Sequence, residues 1–244
     1  YSVRGSTFIY DVSKPSTTIT APVHLSTMSS LSSITGTTLD EPGYSNAGRL
    51  SAQTQKVQLS IQRWSDGQYY SGAGDAWGAL TWLSASTTAL TSTSGTWQKN
   101  TGLPTWRHNE SYWIVARSSD LAGNLQDAFT VGVDSRSVTF DLSAATAAVT
   151  NFILVGGTSY YNSYTLAAGS MTGTAVDFPA GVSTVEIAIS SNASADAATA
   201  WYDGTSFTKA LGAAGTYRST TSYTMNAPGV GDAWSLVDAG LFGL

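Results

Sequence analysis

Apolar and polar residues alternate with a period of two along several stretches of this 244-residue chain. That pattern predicts half-buried antiparallel strands. In KVQLSIQRW (56–64), Val57, Leu59 and Ile61 fall on one side, and Lys56, Gln58, Ser60 and Gln62 on the other. YWIVAR (112–117) reads as a further strand, SDLAGN (119–124) as a turn-rich corner, and DAFTVGVD (127–134) as the closing strand of a unit. Upstream, VSKPSTTITAP (12–22) reads as a Pro-punctuated linker leading into a first strand. LSSITGTTLDEPG (31–43) reads as a strand ending at Gly36, followed by an acidic turn at Asp40.

The second half repeats this order. LAAGSMTGTAVDFPAG (166–181) parallels LSSITGTTLDEPG, matching Met171 to Ile34 and Asp177 to Asp40. STVEIAIS (183–190) parallels KVQLSIQ, with Val185, Ile187 and Ile189 on the inward face. TAWYDGTSF (199–207) parallels DGQYYSGAGDAW (66–77), each an aromatic pair followed by a polar Gly turn. Three matches in one order imply an internal duplication, with one large sandwich of coincidentally similar strands as the alternative. The expected organisation is a candidate donor strand at 1–11, a first domain at 12–133 and an incomplete second domain at 134–244.

The expectation of incompleteness rests on one spacing. Trp113 lies 21 residues before Asp134, whereas Trp234 lies only ten before Leu244. Joining Leu244 to Tyr1 of another copy restores the count at Asp11 in TFIYD. Residues 1–11 of one copy then complete the second domain of the next. An open strand edge invites such addition, and a head-to-tail contact of this kind generates a filament unless it closes into a ring. The expected polymer interface comprises Val3, Phe8, Ile9 and Tyr10 on the donor, and Trp234 and Leu236 beside the acceptor groove. Two other readings use the same residues: 1–11 fold back within their own chain, or the chain is a segment of a longer repeat array.

The succession ITGT…D, V-x-L-S-I and Y-x-x-x-A-R-x-x-D-x-A-G-N resembles the tandem bacterial Ig-like repeats of large surface and adhesin-type proteins. Residues 15–133 carry the resemblance, and 134–244 carry its first half without the D-x-A-G-N corner. It implies an all-β chain of two Ig-like antiparallel β-sandwiches in tandem, the second lacking its own last strand, with about seven strands per unit. It also implies extracellular, cell-surface display and structural or adhesive work without catalysis.

Composition narrows the functions further. Charged residues are 11% of the chain and the formal net charge is −5. From Asp134 onward only Arg136, Lys209 and Arg218 offset the acids. Such a surface disfavours nucleic acid, which needs clustered cations, and no apolar run has the length of a membrane span. The chain has no cysteine, which excludes disulfides and thiolate metal sites and fits a surface protein stabilised by packing. YSVRGSTFIY has no basic-then-apolar leader pattern, so an exported chain is expected to have lost its leader.

Candidate chemistry is sparse. His24 and His108 lie near no Ser–acid constellation, and Glu41, Glu110 and Glu186 read as solvated carboxylates, so no enzyme is expected. Six of the eight tryptophans fall between residues 64 and 113. Trp64, Tyr69, Tyr70, Trp77 and Trp82 are therefore an alternative glycan-binding platform, which requires coplanar, exposed rings. Asp40, Asp120 and Asn124 offer oxygen ligands for calcium, although Asp120 also suits a turn cap; otherwise no cofactor is expected. Asn109 and Asn192 head N-glycosylation sequons. The expected function is a structural subunit of an extracellular filament, sheath or surface layer, with itself as partner. The alternative is a carbohydrate-binding adhesin module with surface glycans as partner.

Overall fold

The computed structural model describes residues 10–41, 53–91, 94–150, 171–191, 201–210, 217–219, 222–224 and 232–236. The chain is all-β: every regular element among these residues is a strand, and the sheets are predominantly antiparallel. No helix among them is long and apolar enough to cross a membrane. The chain divides into two compact units, Tyr1–Leu142 and Ser143–Leu244.

The first unit contains β1 (Ser16–Ala21), β2 (Ser26–Met28), β3 (Ile34–Leu39), β4 (Thr54–Arg63), β5 (Tyr69–Tyr70), β6 (Trp77–Gly78), β7 (Leu83–Ser84), β8 (Ser86–Thr91), β9 (Ser94–Lys99), β10 (Glu110–Asp120) and β11 (Ser135–Phe140). One sheet runs β1-β3-β9-β8; the other runs β2-β11-β10-β4-β5-β6, with β7 also paired to β4. Alternation along β4 and β10 aims Val57, Leu59, Ile61, Tyr112, Ile114 and Ala116 at the core, which Ile19, Ile34 and Trp97 meet from the first sheet. Each large apolar side chain removed from water in this way contributes about 1.5–3 kcal/mol. Trp106 covers one side of the core, stacking on Phe140 at 4.5 Å and meeting Tyr112 edge-on at 4.9 Å.

Three sequence expectations are corrected here. The 12–22 stretch holds β1, whose Ile19 is fully buried, so it is a strand as well as a linker. The 31–43 strand continues through Gly36 to Leu39. The closing strand is Ser135–Phe140 and not 127–134: Phe129, Val131 and Val133 stay exposed, whereas Val138 and Phe140 are fully buried on the edge of β10. The boundary between units accordingly falls after Leu142 and not at 133/134.

The second unit contains β12 (Thr146–Val149), β13 (Met171–Val176), β14 (Glu186–Ile187), β15 (Trp201–Tyr202), β16 (Phe207–Lys209), β17 (Arg218–Ser219), β18 (Ser222–Thr224) and β19 (Asp232–Leu236). Its sheet β12-β13-β19-β18 repeats β1-β3-β9-β8 register for register. The row Ile19, Gly36, Trp97, Thr87 crosses the first sheet, and the row Val149, Gly173, Trp234, Tyr223 crosses the second.

The two glycines have one physical reason. A Cβ at Gly36 would collide with the Thr18 carbonyl oxygen and the Trp97 indole; at Gly173 it would collide with the Ala148 carbonyl oxygen and the Trp234 indole. Glycine inside a strand marks such a close approach.

The likeness continues into the other sheet. Leu59 pairs with Leu83 and Gln62 with Tyr69, as Ile187 pairs with Arg218 and Ser190 with Trp201. The ring contact of Tyr70 with Trp77 has its counterpart in Tyr202 with Phe207. Trp234 therefore matches Trp97 and not Trp113, so the Trp-to-Asp count that led to Asp11 has no structural basis. Among the described residues, nothing in the second unit occupies the places of β10 and β11.

Candidate functional site

At one end of the first sandwich, three elements deliver carboxylates to one point. Asp11 precedes β1, Asp40 directly follows β3, and Asp120 ends β10. A carboxylate oxygen from each lies within 4.8 Å of those of the other two. Asp40 and Asp120 are fully buried, and Asp11 is half-buried. The pairing of β10 with β4 shifts register between Ser119 and Asp120. Such irregularities re-aim side chains at sheet ends, and Ser118, Ser119 and Asp120 are buried in succession.

The three carboxylates differ in their partners. Asp120 caps the corner: its oxygens accept the Asn124 main-chain N–H and the Asn124 side-chain amide, both at 2.7 Å. Gly123, with φ +92°, gives the turn its sharpness. Asp11 accepts the Ser13 main-chain N–H at 2.9 Å. Among the described residues, neither Asp40 oxygen accepts a hydrogen bond of ordinary geometry. Burial, then the charges of Asp11 and Asp120, push its carboxyl up to about 6; the nearby Gln53 amide N–H acts in the opposite sense. A second buried carboxylate, Asp134, is raised by burial too, but it accepts the Thr130 main-chain N–H at 2.6 Å and the Gln126 amide at 2.9 Å.

Of the residues expected to bind metal, Asp40 and Asp120 come together. Asn124 stands behind them, donating its amide to Asp120 and, at 3.1 Å, to the Asp11 carbonyl oxygen. Asp11 is the ligand that the sequence pattern does not single out, because the same pattern places it in the donor strand. The signal was available, since Asp11 precedes Ser16 by the same five residues that separate Asp141 from Thr146.

The expected polymer residues are distributed differently. Val3, Phe8 and Ile9 lie outside the described residues, as does Asn192. Tyr10 is 76% exposed. Trp234 and Leu236 are core residues, and β19 is hydrogen-bonded to β13 on one side and β18 on the other. An acceptor groove beside β19 is thereby ruled out, because neither edge of that strand is open.

The aromatic platform is dispersed as well. Trp64 is 66% exposed, but Tyr70 is buried, facing opposite to its neighbour Tyr69. Trp77 packs on the core beneath Arg63, whose guanidinium lies 4.5 Å from the ring, and donates its indole N–H to Asp75 at 3.2 Å. Trp82 sits between Phe129 and the Arg117 guanidinium, the latter 3.8 Å from its ring. Tyr70, Trp77 and Trp82 are thus engaged in packing, which leaves Trp64 and Tyr69 on the side away from the core. Asn109 is exposed with φ 56°. Glu110 accepts the Ser65 main-chain N–H and hydroxyl, which holds the loop after β4. No protein-family model matches this chain, and no curated protein sequence matches it.

Proposed function

We propose that this chain is a non-catalytic structural subunit of an extracellular assembly built from β-sandwich units joined head to tail. The segment ahead of Asp11 supplies a strand to another copy. One observation carries the reading. Phe8-Ile9-Tyr10-Asp11 repeats the pattern of Val138-Thr139-Phe140-Asp141, and each Asp stands five residues before the first strand of a unit. In the first unit Val138 and Phe140 are fully buried in β11, whereas Tyr10, the counterpart of Phe140, is exposed. A residue of terminal-strand type without a core beneath it is suited to a core in a neighbour.

The acceptor in this reading is the second sheet of the second unit. Its β14 has no described neighbour on the side where β10 and β11 extend the first unit. Ile189 is only partly buried there, while its counterpart Ile61 is fully buried. Glycan binding draws less support, because Tyr70, Trp77 and Trp82, three of the five aromatic residues offered for it, are engaged in packing. Electron microscopy of the full chain and of a variant lacking residues 1–9 tests the proposal. Filaments or oligomers that vanish on truncation support it, and single particles in both samples reject it.

A further inference from the structure

We infer that Asp11, Asp40 and Asp120 form a binding site for a hard divalent cation of calcium type. The inference stands apart from strand donation, because all three ligands belong to the described part of one unit. Its basis is the state of Asp40, a fully buried side chain that faces two further carboxylates and whose oxygens, among the described residues, meet no hydrogen-bond donor of ordinary geometry, only the Gln53 amide N–H standing near. A buried charge without a partner is costly, and native proteins pair such groups or use them to coordinate metal. Among the described residues, the groups acting on the Asp40 carboxyl are the Asp11 and Asp120 carboxylates and the Gln53 amide, and the cluster holds no histidine.

The geometry selects the class of ion. Calcium binds oxygens at 2.3–2.6 Å, so ligands on opposite sides of it lie up to about 5 Å apart; the three oxygens fall within 4.8 Å of one another. Magnesium demands near-ideal octahedral geometry, dehydrates reluctantly and is usually held by only one or two carboxylates. Zinc prefers nitrogen and sulfur donors, which the cluster lacks. Asp11 and Asp120 each spend lone pairs on hydrogen bonds, but a carboxylate has about four acceptor positions and retains capacity for a metal. Asn124 holds two of the ligand-bearing segments in place through its side-chain amide, the role that supporting hydrogen bonds play around metal sites. A bound cation would tie Asp11, ahead of β1, to the ends of β3 and β10.

Calorimetric titration and thermal unfolding of the full chain, first freed of metal with EDTA, test the site with calcium chloride and magnesium chloride as probes. The expected result is saturable calcium binding, an upward shift of the first unit's unfolding temperature, and a weaker response to magnesium. Asp40→Asn removes the buried charge while keeping the shape. It should raise the unfolding temperature in EDTA and abolish the calcium shift, a pair of opposite effects that a purely structural Asp40 would not produce. Asp11→Asn, at the half-buried rim, should fold normally and weaken calcium binding by at least about tenfold. No calcium response up to about 10 mM, well above the range of extracellular calcium modules, overturns the inference. An unchanged calcium affinity in either variant overturns it equally.

Discussion

The two units share one sheet and differ in the other. Gly36 beneath Trp97 and Gly173 beneath Trp234 form the same cross-strand lock in the same four-strand register. In the first unit, the ten-residue β4 is held between β10 on one side and β5 and β7 on the other. In the second, two-residue β14 is described with β17 alone. Val57, Leu59 and Ile61 are fully buried, and Ile189 is only partly so. The indole N–H groups diverge as well: that of Trp97 donates to the Thr37 carbonyl at 3.1 Å, while that of Trp234 is buried with no hydrogen-bond partner among the described residues. The Gly–Trp lock is thus a local device that survives in either setting. Closure of the core depends on a long strand laid across it.

The comparison breaks most sharply at the tryptophans. Trp97→Ala should cost the first unit about 3–5 kcal/mol. Trp234→Ala should cost the second unit less, because it removes an unpaired polar group along with the ring. Scanning calorimetry that resolves two transitions checks both, and equal losses would deny the difference in closure. Gly36→Ala and Gly173→Ala should each cost about 1–3 kcal/mol or more through overpacking, and here the two units should respond alike.

Next in size is the effect of pH on the first unit. The Asp40 carboxyl, raised from 3.8 to about 6, holds its proton more tightly folded than unfolded. The stability this confers is complete below the unfolded value and is lost as pH rises through about 6, by roughly 3 kcal/mol at most. Asp134, raised by burial, acts in the same direction. In EDTA the first transition should therefore move down between pH 4 and pH 7, and Asp40→Asn should flatten that slope. A first unit equally stable across this range would contradict the burial of an unpaired carboxylate. Smaller again, Arg117→Ala removes the cation stacked on Trp82 and the bonds to Gln58, costing about 1 kcal/mol. Lys14→Ala breaks an exposed, solvent-screened ion pair with Asp127 and should leave the first unfolding transition where it is.

Much of the architecture was legible because short-range pattern carries it. The alternation in 56–64 became β4, and the ITGT and MTGT segments became the equivalent strands β3 and β13. The aromatic pairs at 69–70 and 201–202 became matching hairpin strands. What failed depended on long-range pairing. Trp234 was matched to Trp113 by its distance to an aspartate, although Gly36 and Trp97 are 61 residues apart and so are Gly173 and Trp234. The closing strand was placed at 127–134 because Phe129, Val131 and Val133 alternate well; only the edge of β10 decides that Val138 and Phe140 are the residues buried. The carboxylate cluster was half legible. Asp40 and Asp120 stood out as oxygen donors, but nothing local brings Asp11 to them across 29 and 109 residues of chain.

Sedimentation velocity over a range of concentrations tests the head-to-tail assembly most directly. It should compare the full chain with a Phe8→Asp, Tyr10→Asp variant that leaves Asp11 in place. The full chain should give large, concentration-dependent species and the variant a single monomeric boundary. A monomer at every concentration in both samples, or assemblies that persist in the variant, would contradict it.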